Sequence, residues 1–329
     1  MIAYLYTTLT NAGYHVGRYI SPSVYSYREK IEVEGTPISR EQFAKHTTRV
    51  AAVIEEMTAE GLAHPTPFEI ETAVAFLFFA EEKCDLVILE VGMGGDLDAT
   101  NIIKNTVLAV LVPISMDHQA FLGNTLAEIT QKKAGIIKPG CSVVTVGQRP
   151  ETMEVIREVC REKGADLTET DLSSAKAVKE DFAGQTLEYR GETYELSLAG
   201  SYQTENAALA LDALEVLNHK GYPTTVEQRK KGLRETKWNG RLTIIHRDPL
   251  FIVDGAHNPA AADMLEDSVR KYFKGRKMYF VMGVFRDKDY SYIIRKLCPY
   301  AEQIVTIETP DNPRALPAQE LAEAVRECN

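Results

Sequence analysis

Apolar residues recur at helical spacing from the start of the chain, at Ile2, Leu5, Tyr6 and Leu9, and Asn11-Ala12-Gly13 can end that helix. No polar residue precedes this helix to cap it, whereas most helices open on a cap or a structured loop. HVGRYIS (15–21) reads as a short strand, followed by a polar, aromatic loop from Pro22 to Tyr27. CDLVILEV (84–91) and VLAVLVPI (107–114) are almost continuously apolar, as expected of parallel strands covered on both faces. Thr125 and Glu128 have the spacing of a capping box and predict a helix running toward Lys133 and Gly135.

SVVTV (142–146) is another short strand and 151–163 a helix. Alternation over 176–198 predicts a β-hairpin around Ala183-Gly184 and Arg190-Gly191, and helices follow over 204–219 and 225–235. After Trp238-Asn239-Gly240-Arg241 the pattern restarts: strands FIVD, MYFVMGV and QIVTI alternate with helices near 259–272, 289–297 and 317–327. This predicts two α/β domains, 1–243 and a smaller 244–329, with a cleft where they meet.

Composition narrows the class. The 329 residues are 44% hydrophobic and 26% charged, with a net charge of −10, so general attraction to nucleic acid or an anionic membrane is not expected. The longest apolar run, AVAFLFFA (73–80), is far short of the roughly 20 residues that cross a bilayer. No basic segment precedes the first apolar residues, which argues against a signal peptide. Five cysteines without CxxC spacing suggest neither a zinc site nor a disulfide framework and fit a reducing cytoplasm.

The densest chemistry lies in LEVGMGGDLDATN (89–101). A buried strand ends in Glu90, then come three glycines within four residues and two aspartates. Glycines after a strand let a ligand approach the backbone at the carboxyl edge, where open α/β sheets bind substrates. A metal ion would offset the cost of a carboxylate in an apolar strand end; a structural salt bridge with a tight turn is the plainer reading, and both stay open. SMDH (115–118) follows the next strand, so His118 would emerge at the same sheet edge as Glu90, a pairing that suits a divalent ion. Asp117 orients His118 or simply sits in the turn. Lys132 and Lys133 read as an exposed helical pair. In DGAHNP (254–259), Asn258 and Pro259 open a helix, which leaves Asp254 and His257 facing the expected cleft. Arg241 clamps a phosphate or pairs with a surface carboxylate.

In this order YISPSV, PTPFE, LEVGMGGDLDATN, SMDHQAFLGNTL, KKAGIIKPG, GSYQTENAALA, NGR, DGAHNP and MGVFRDKD resemble the folylpolyglutamate synthase/dihydrofolate synthase family of Mur-ligase-like amide ligases. The resemblance implies an α/β fold with a P-loop-NTPase-like ATPase domain and a smaller Rossmann-like C-terminal domain. It implies Mg²⁺ held by Ser21 and Glu90, with His118 at a second ion. Lys133 matches a position that the family carbamylates, and with His118 and Asp98 it would carry catalysis. Asn206 matches the adenine contact, Arg241 and Asp254 match contacts to ATP phosphate and ribose, and His257 would neighbour the phosphates. Thr66, Phe68, Asp98 and Ala99 match the pterin-binding neighbourhood. The implied reaction joins L-glutamate to a dihydropteroate or tetrahydrofolate (poly)glutamate carboxylate through an acyl phosphate made from ATP, in a cytoplasmic monomer.

Two departures qualify this. The family opens with a strand and a GxxGKS/T-type loop directly before the helix that starts here at Met1, and the 329 residues contain no such loop. The family also continues beyond the helix that ends near Asn329. The expectation is therefore a chain truncated at both ends, an impaired ligase with an exposed sheet position. Two further readings remain: a Mur-type ligase acting on a UDP-linked muropeptide, and a non-catalytic paralogue that binds folate or a partner.

Overall fold

The computed structural model describes residues 1–182 and 184–328. Ala183, half of the expected turn at Ala183-Gly184, and Asn329 lie outside the described residues. Helix α1 (Ile2–Asn11) leads into strands β1 (Val16–Tyr19), β2 (Ile31–Val33) and β3 (Thr36–Pro37). Helices α2 (Arg40–Ala59) and α3 (Pro67–Glu82) precede β4 (Leu86–Leu89) and β5 (Leu108–Leu111). Then come α4 (Gln119–Leu122), α5 (Leu126–Ala134), β6 (Ser142–Val146), α6 (Pro150–Lys163) and β7 (Asp166–Thr170). Strands β8 (Lys176–Asp181), β9 (Gly184–Tyr189) and β10 (Glu192–Leu196) form one three-stranded sheet, and α7 (Gln203–His219) and α8 (Val226–Glu235) follow. The chain continues through β11 (Thr243–Arg247), β12 (Leu250–Val253), α9 (Pro259–Tyr272), β13 (Met278–Met282), α10 (Tyr290–Leu297), β14 (Ala301–Thr306) and α11 (Ala318–Arg326).

Two compact units emerge. The first comprises 1–176, 188–195 and 205–237; the second comprises 177–187, 196–204 and 238–329. In the first unit the strands form two sheets, ordered β3-β2-β1-β4 and β5-β6-β7. Strand β1 runs parallel to β4, and β5, β6 and β7 are all parallel. Glu90 and His118 follow strands of different sheets, β4 at the end of one and β5 at the end of the other, rather than neighbours in a single sheet.

Each sheet is held by its own core. Tyr19 and Ile31 pack with Phe78 and Phe79 of α3, while Ala109 and Val143 pack with Ala134, Met153 and Ile156 of α5 and α6. Helix α7 is buried nearly all round: Ala207, Ala208, Ala210, Ala213 and Leu214 are each fully enclosed, as an apolar helix inside a core must be. The capping box expected at Thr125 is present, and the same device opens α2 at Ser39, α3 at Thr66 and α8 at Thr225. In the second unit α9, α10 and α11 pack on the parallel pair β13-β14 around Ile293, Ile294, Leu316 and Leu321. No described helix is long and apolar enough to cross a membrane.

One buried group makes stability depend on pH. His46, 1% exposed, packs edge-on against Phe78, and neither ring nitrogen has a hydrogen-bond partner among the described residues. Burial holds its pKa below the ordinary 6.5, only partly opposed by Glu81, whose carboxylate lies 3.7 Å away and also accepts Lys45. Lys45 and Arg49 push the same way as burial, and Glu82 opposes them. The unfolded chain thus binds this proton more readily than the folded one. The His46 contribution is present above the unfolded pKa near 6.5 and is lost as pH falls below it. Thermal unfolding between pH 7.5 and 5 should show a steeper fall in the parent than in His46→Phe, by up to about 1.4 kcal/mol per pH unit. Parallel profiles would reject this assignment.

Candidate active site

The carboxyl ends of β1 and β4 bring the first two candidate residues together. Glu90 continues the ladder by donating its N–H to Tyr19 O at 2.8 Å, and its Oε2 accepts the Ser21 N–H at 3.0 Å. A serine and a carboxylate are thus neighbours at one strand terminus. Oxygen donors of this kind suit Mg²⁺, which keeps several waters and needs only one or two protein carboxylates. Among the described residues no group of three or more His, Cys, Asp or Glu side chains is arranged to hold a metal ion. Ser21 and Glu90 therefore fit one hydrated hard cation rather than a closed protein cage.

Asp98 organises the loop beyond Glu90. Its Oδ2 accepts Met93 N–H at 2.9 Å, and its Oδ1 accepts Thr100 N–H at 3.0 Å and Thr100 Oγ1–H at 2.6 Å. Ala99 opens the short 3₁₀ turn that follows. The Phe68 ring lies beside Gly92 and Asp98 and stacks on Tyr19, with centroids 5.9 Å apart. Burial pushes the Tyr19 phenol up to about 12. Thr66 caps α3: its Oγ1 accepts Glu69 N–H at 3.3 Å and donates to Glu69 Oε2 at 2.8 Å. The pterin candidates Phe68, Asp98 and Ala99 thus share one neighbourhood, with Thr66 a turn of chain away. Glu71, one helical turn past Phe68, accepts both Lys30 Nζ at 2.8 Å and the Tyr27 hydroxyl. Sequence reasoning did not single out this anchor of the 21–30 loop.

His118 stands just after β5 with φ of +50°, the left-handed region that a non-glycine residue occupies at a cost. Asp117 Oδ1 accepts the His118 N–H at 2.8 Å, so the turn role weighed for Asp117 is realised. The lysine pair divides. Lys132 donates to Asp96 at 2.9 Å on the surface, while burial lowers the pKa of Lys133, opposed in part by the Asp117 carboxylate. Lys133 is thus not the exposed residue that the bare sequence suggested.

Asn206 occupies the first turn of α7 in the first unit. In the second unit, Asp254 Oδ2 accepts Leu242 N–H at 2.9 Å and Oδ1 accepts Ala256 N–H at 2.8 Å. Arg241 folds back to donate to Gly240 O at 3.0 Å, and His257 Nδ1 is 2.9 Å from Gly255 O. Tyr202, not singled out from the sequence, feels both Asp254 and Arg241, and its phenol is pushed up to about 12, mainly by burial. A separate concavity of about 170 Å³ is lined by Thr168, Arg190, Asp212, Glu215, Val216 and His219 and contains none of these candidates. Its charges satisfy one another: Arg190 and the Tyr189 hydroxyl both hold buried Asp212.

Comparison with known proteins places this arrangement. The Mur ligase middle domain matches residues 38–214, and the Mur ligase glutamate ligase domain matches 240–329. Fold and motifs together define a Mur-ligase-like α/β protein. The Bacillus subtilis dihydrofolate synthase/folylpolyglutamate synthase is 35% identical over 98% of this chain and 76% of its own length. The Lacticaseibacillus casei folylpolyglutamate synthase is 31% identical, over 94% of this chain and 74% of its own. The Mycobacterium tuberculosis folylpolyglutamate synthase complexed with ADP and AMPPCP superposes with a TM-score of 0.88 at 33% identity, covering 99% of this chain and 76% of that one. A folylpolyglutamate synthase–AMPPCP–folate complex superposes at 0.86 with 29% identity, over 99% and 81% of the two chains. The chain belongs to the folylpolyglutamate synthase/dihydrofolate synthase family, whose members are ATP-dependent ligases.

Proposed function

We propose that this chain adds L-glutamate to the carboxylate of dihydropteroate or of a folate glutamate chain, in the cytoplasm and as a monomer. ATP would phosphorylate the carboxylate, the glutamate amine would attack the acyl phosphate, and phosphate would leave. Residues 1–243 would supply the ATPase function and 244–329 the glutamate-ligase function. The observation that carries the reading is the joining of Ser21 and Glu90 at one strand terminus, beside a glycine loop fixed by Asp98 and flanked by Phe68.

In this reading Ser21 and Glu90 hold Mg²⁺, with His118 toward a second ion. Bound Mg²⁺ would spread the charge on the transferred phosphoryl group. Phe68 packs against the pterin with Thr66, Asp98 and Ala99 around it, and Asn206, Arg241, Asp254 and His257 contact the nucleotide. The strained backbone at His118 supports a functional role, since such strain persists where the site requires it. Desolvation keeps the Lys133 amine nearer its neutral form, which can add CO₂ to give a carbamate and a proton. The same chain lacks a GxxGKS/T motif in its 329 residues, and we infer that its turnover as these residues alone is impaired.

Ligand stabilisation separates folate from muropeptide chemistry without requiring turnover. Dihydropteroate or tetrahydrofolate at a hundred times Kd should stabilise the fold by about 2.7 kcal/mol, and a UDP-muropeptide should not. Stabilisation by the muropeptide alone would replace the folate reading.

A further inference from the structure

Asn101 closes the glycine-loop segment and has no role in the reading above. Its side-chain Nδ2 donates to Gly135 O at 3.0 Å and to Asp96 O at 3.3 Å. A primary amide has two N–H donors, so both are used, one on each side of the junction between loop and helix. Its backbone carbonyl accepts Lys138 Nζ at 2.8 Å. The same two segments meet again through Asp96 N–H to Lys132 O and Lys132 Nζ to Asp96 Oδ2, both 2.9 Å.

The backbones can approach this closely because glycine stands on both sides. A Cβ on Gly135 would lie 2.5 Å from Asp96 Cα, and one on Gly95 would lie 2.8 Å from the carbonyl oxygens of Lys132 and Lys133. Successive helical residues point about 100° apart. With Lys132 drawn to Asp96, Lys133 is left on a different face, partly buried and under the influence of Asp117. The rotation of the α5 terminus, and with it the place of Lys133, is therefore set by the loop.

We propose that Asn101 is a positioning residue for the ligase reaction: its amide locks the glycine loop to the α5 terminus and thereby fixes the direction in which Lys133 leaves that helix. This rests on the role given to Lys133 above. Asn101→Asp keeps the shape and turns a double donor into a carboxylate facing two carbonyls; Asn101→Ala simply removes the donors.

The test is limited acetylation of the 329-residue chain with acetic anhydride at one pH, read residue by residue by mass spectrometry. Lys45, in α2, is the internal reference. The Lys133 to Lys45 labelling ratio should rise about fivefold in both variants, the population change that one net hydrogen bond carries. In turnover assays kcat for glutamate addition should fall while KM for ATP holds. An unchanged ratio overturns the proposal. So does a uniform rise at every lysine in both variants, which would mark Asn101 as merely structural, and so does a rise in KM for ATP at constant kcat. The labelling is independent of catalysis. If Lys133→Ala leaves turnover intact while the ratio still rises, the role of Lys133 has failed and the positioning has held. If Lys133→Ala abolishes turnover and the ratio does not move, the positioning has failed alone.

Discussion

Placing a strand and a GxxGKS/T loop ahead of Met1 should raise ATP- and Mg²⁺-dependent glutamate incorporation by about a hundredfold or more over the 329-residue chain. A phosphate-binding loop presents several backbone N–H groups and a lysine to the β- and γ-phosphates at a helix N-terminus. Helix α1 suits an anion at its N-terminus in that its first turn carries no acidic residue. Losing one preorganised donor to a developing charge commonly costs roughly 3 kcal/mol in the transition state, and a whole cradle should cost more. Arg241, held here by Gly240 O, brings one cation and no N–H cradle. The added strand would also find partners, since β4 and β5 each end a sheet. Unpaired strand edges invite association between chains, so the extended protein should also be more soluble. Labelled glutamate incorporated into dihydropteroate or tetrahydrofolate by both proteins is the measurement. Equal turnover would mean that other groups hold the phosphates.

Lys133→Ala in the extended protein should lower kcat by about two to three orders of magnitude, as loss of a preorganised charge-stabilising group does. Added short carboxylates should restore part of that rate, because they can occupy the space of a carbamate. Lys133→Arg should not substitute, since a guanidinium stays protonated and cannot add CO₂. The structure favours this residue over its neighbour: Lys132 is consumed by Asp96, while Lys133 is desolvated. Lys132→Ala is the control and should retain most of the rate. Turnover by Lys133→Ala within a few-fold of the parent, with no response to acetate or formate, would remove the lysine from the mechanism.

How legible the fold was depended on how strongly each segment carried its own signal. Strands β4, β5 and β6 were evident as apolar runs, although only β6 is buried along its length while β4 leaves Val87 exposed against the expectation of cover on both faces, and α5 was evident because Thr125 and Glu128 mark its start. Helices α2 and α3 were not read. FEIETAVAFLFFAEE is too evenly apolar for a period to stand out, and its start signal, Thr66-Pro67 with Glu69, was read as part of a binding motif. The burial of His46 was equally invisible, because it depends on how α2 meets α3. At the site, Glu90 and the glycine loop stood out locally, whereas Ser21 and Lys133 entered only through family resemblance. Nothing near Ser21 in sequence announces that its N–H will meet a carboxylate 69 residues away. The division of labour between Lys132 and Lys133 is a matter of helix rotation against a loop, which adjacent identical residues cannot disclose.

Several candidate ligand residues also hold the backbone in shape. The Thr66 hydroxyl is engaged by Glu69, both oxygens of Asp98 bind the loop they sit in, and both oxygens of Asp254 accept main-chain N–H groups. In a mutational scan scored by growth or yield, these three positions would read as intolerant whether or not a substrate ever touches them. Sensitivity there is no fingerprint of recognition. For the same reason, a drifting lineage cannot shed substrate preference at these positions while keeping a sound scaffold. Changes in what the protein accepts are more readily made at residues such as Phe68, whose ring supports no main-chain bond.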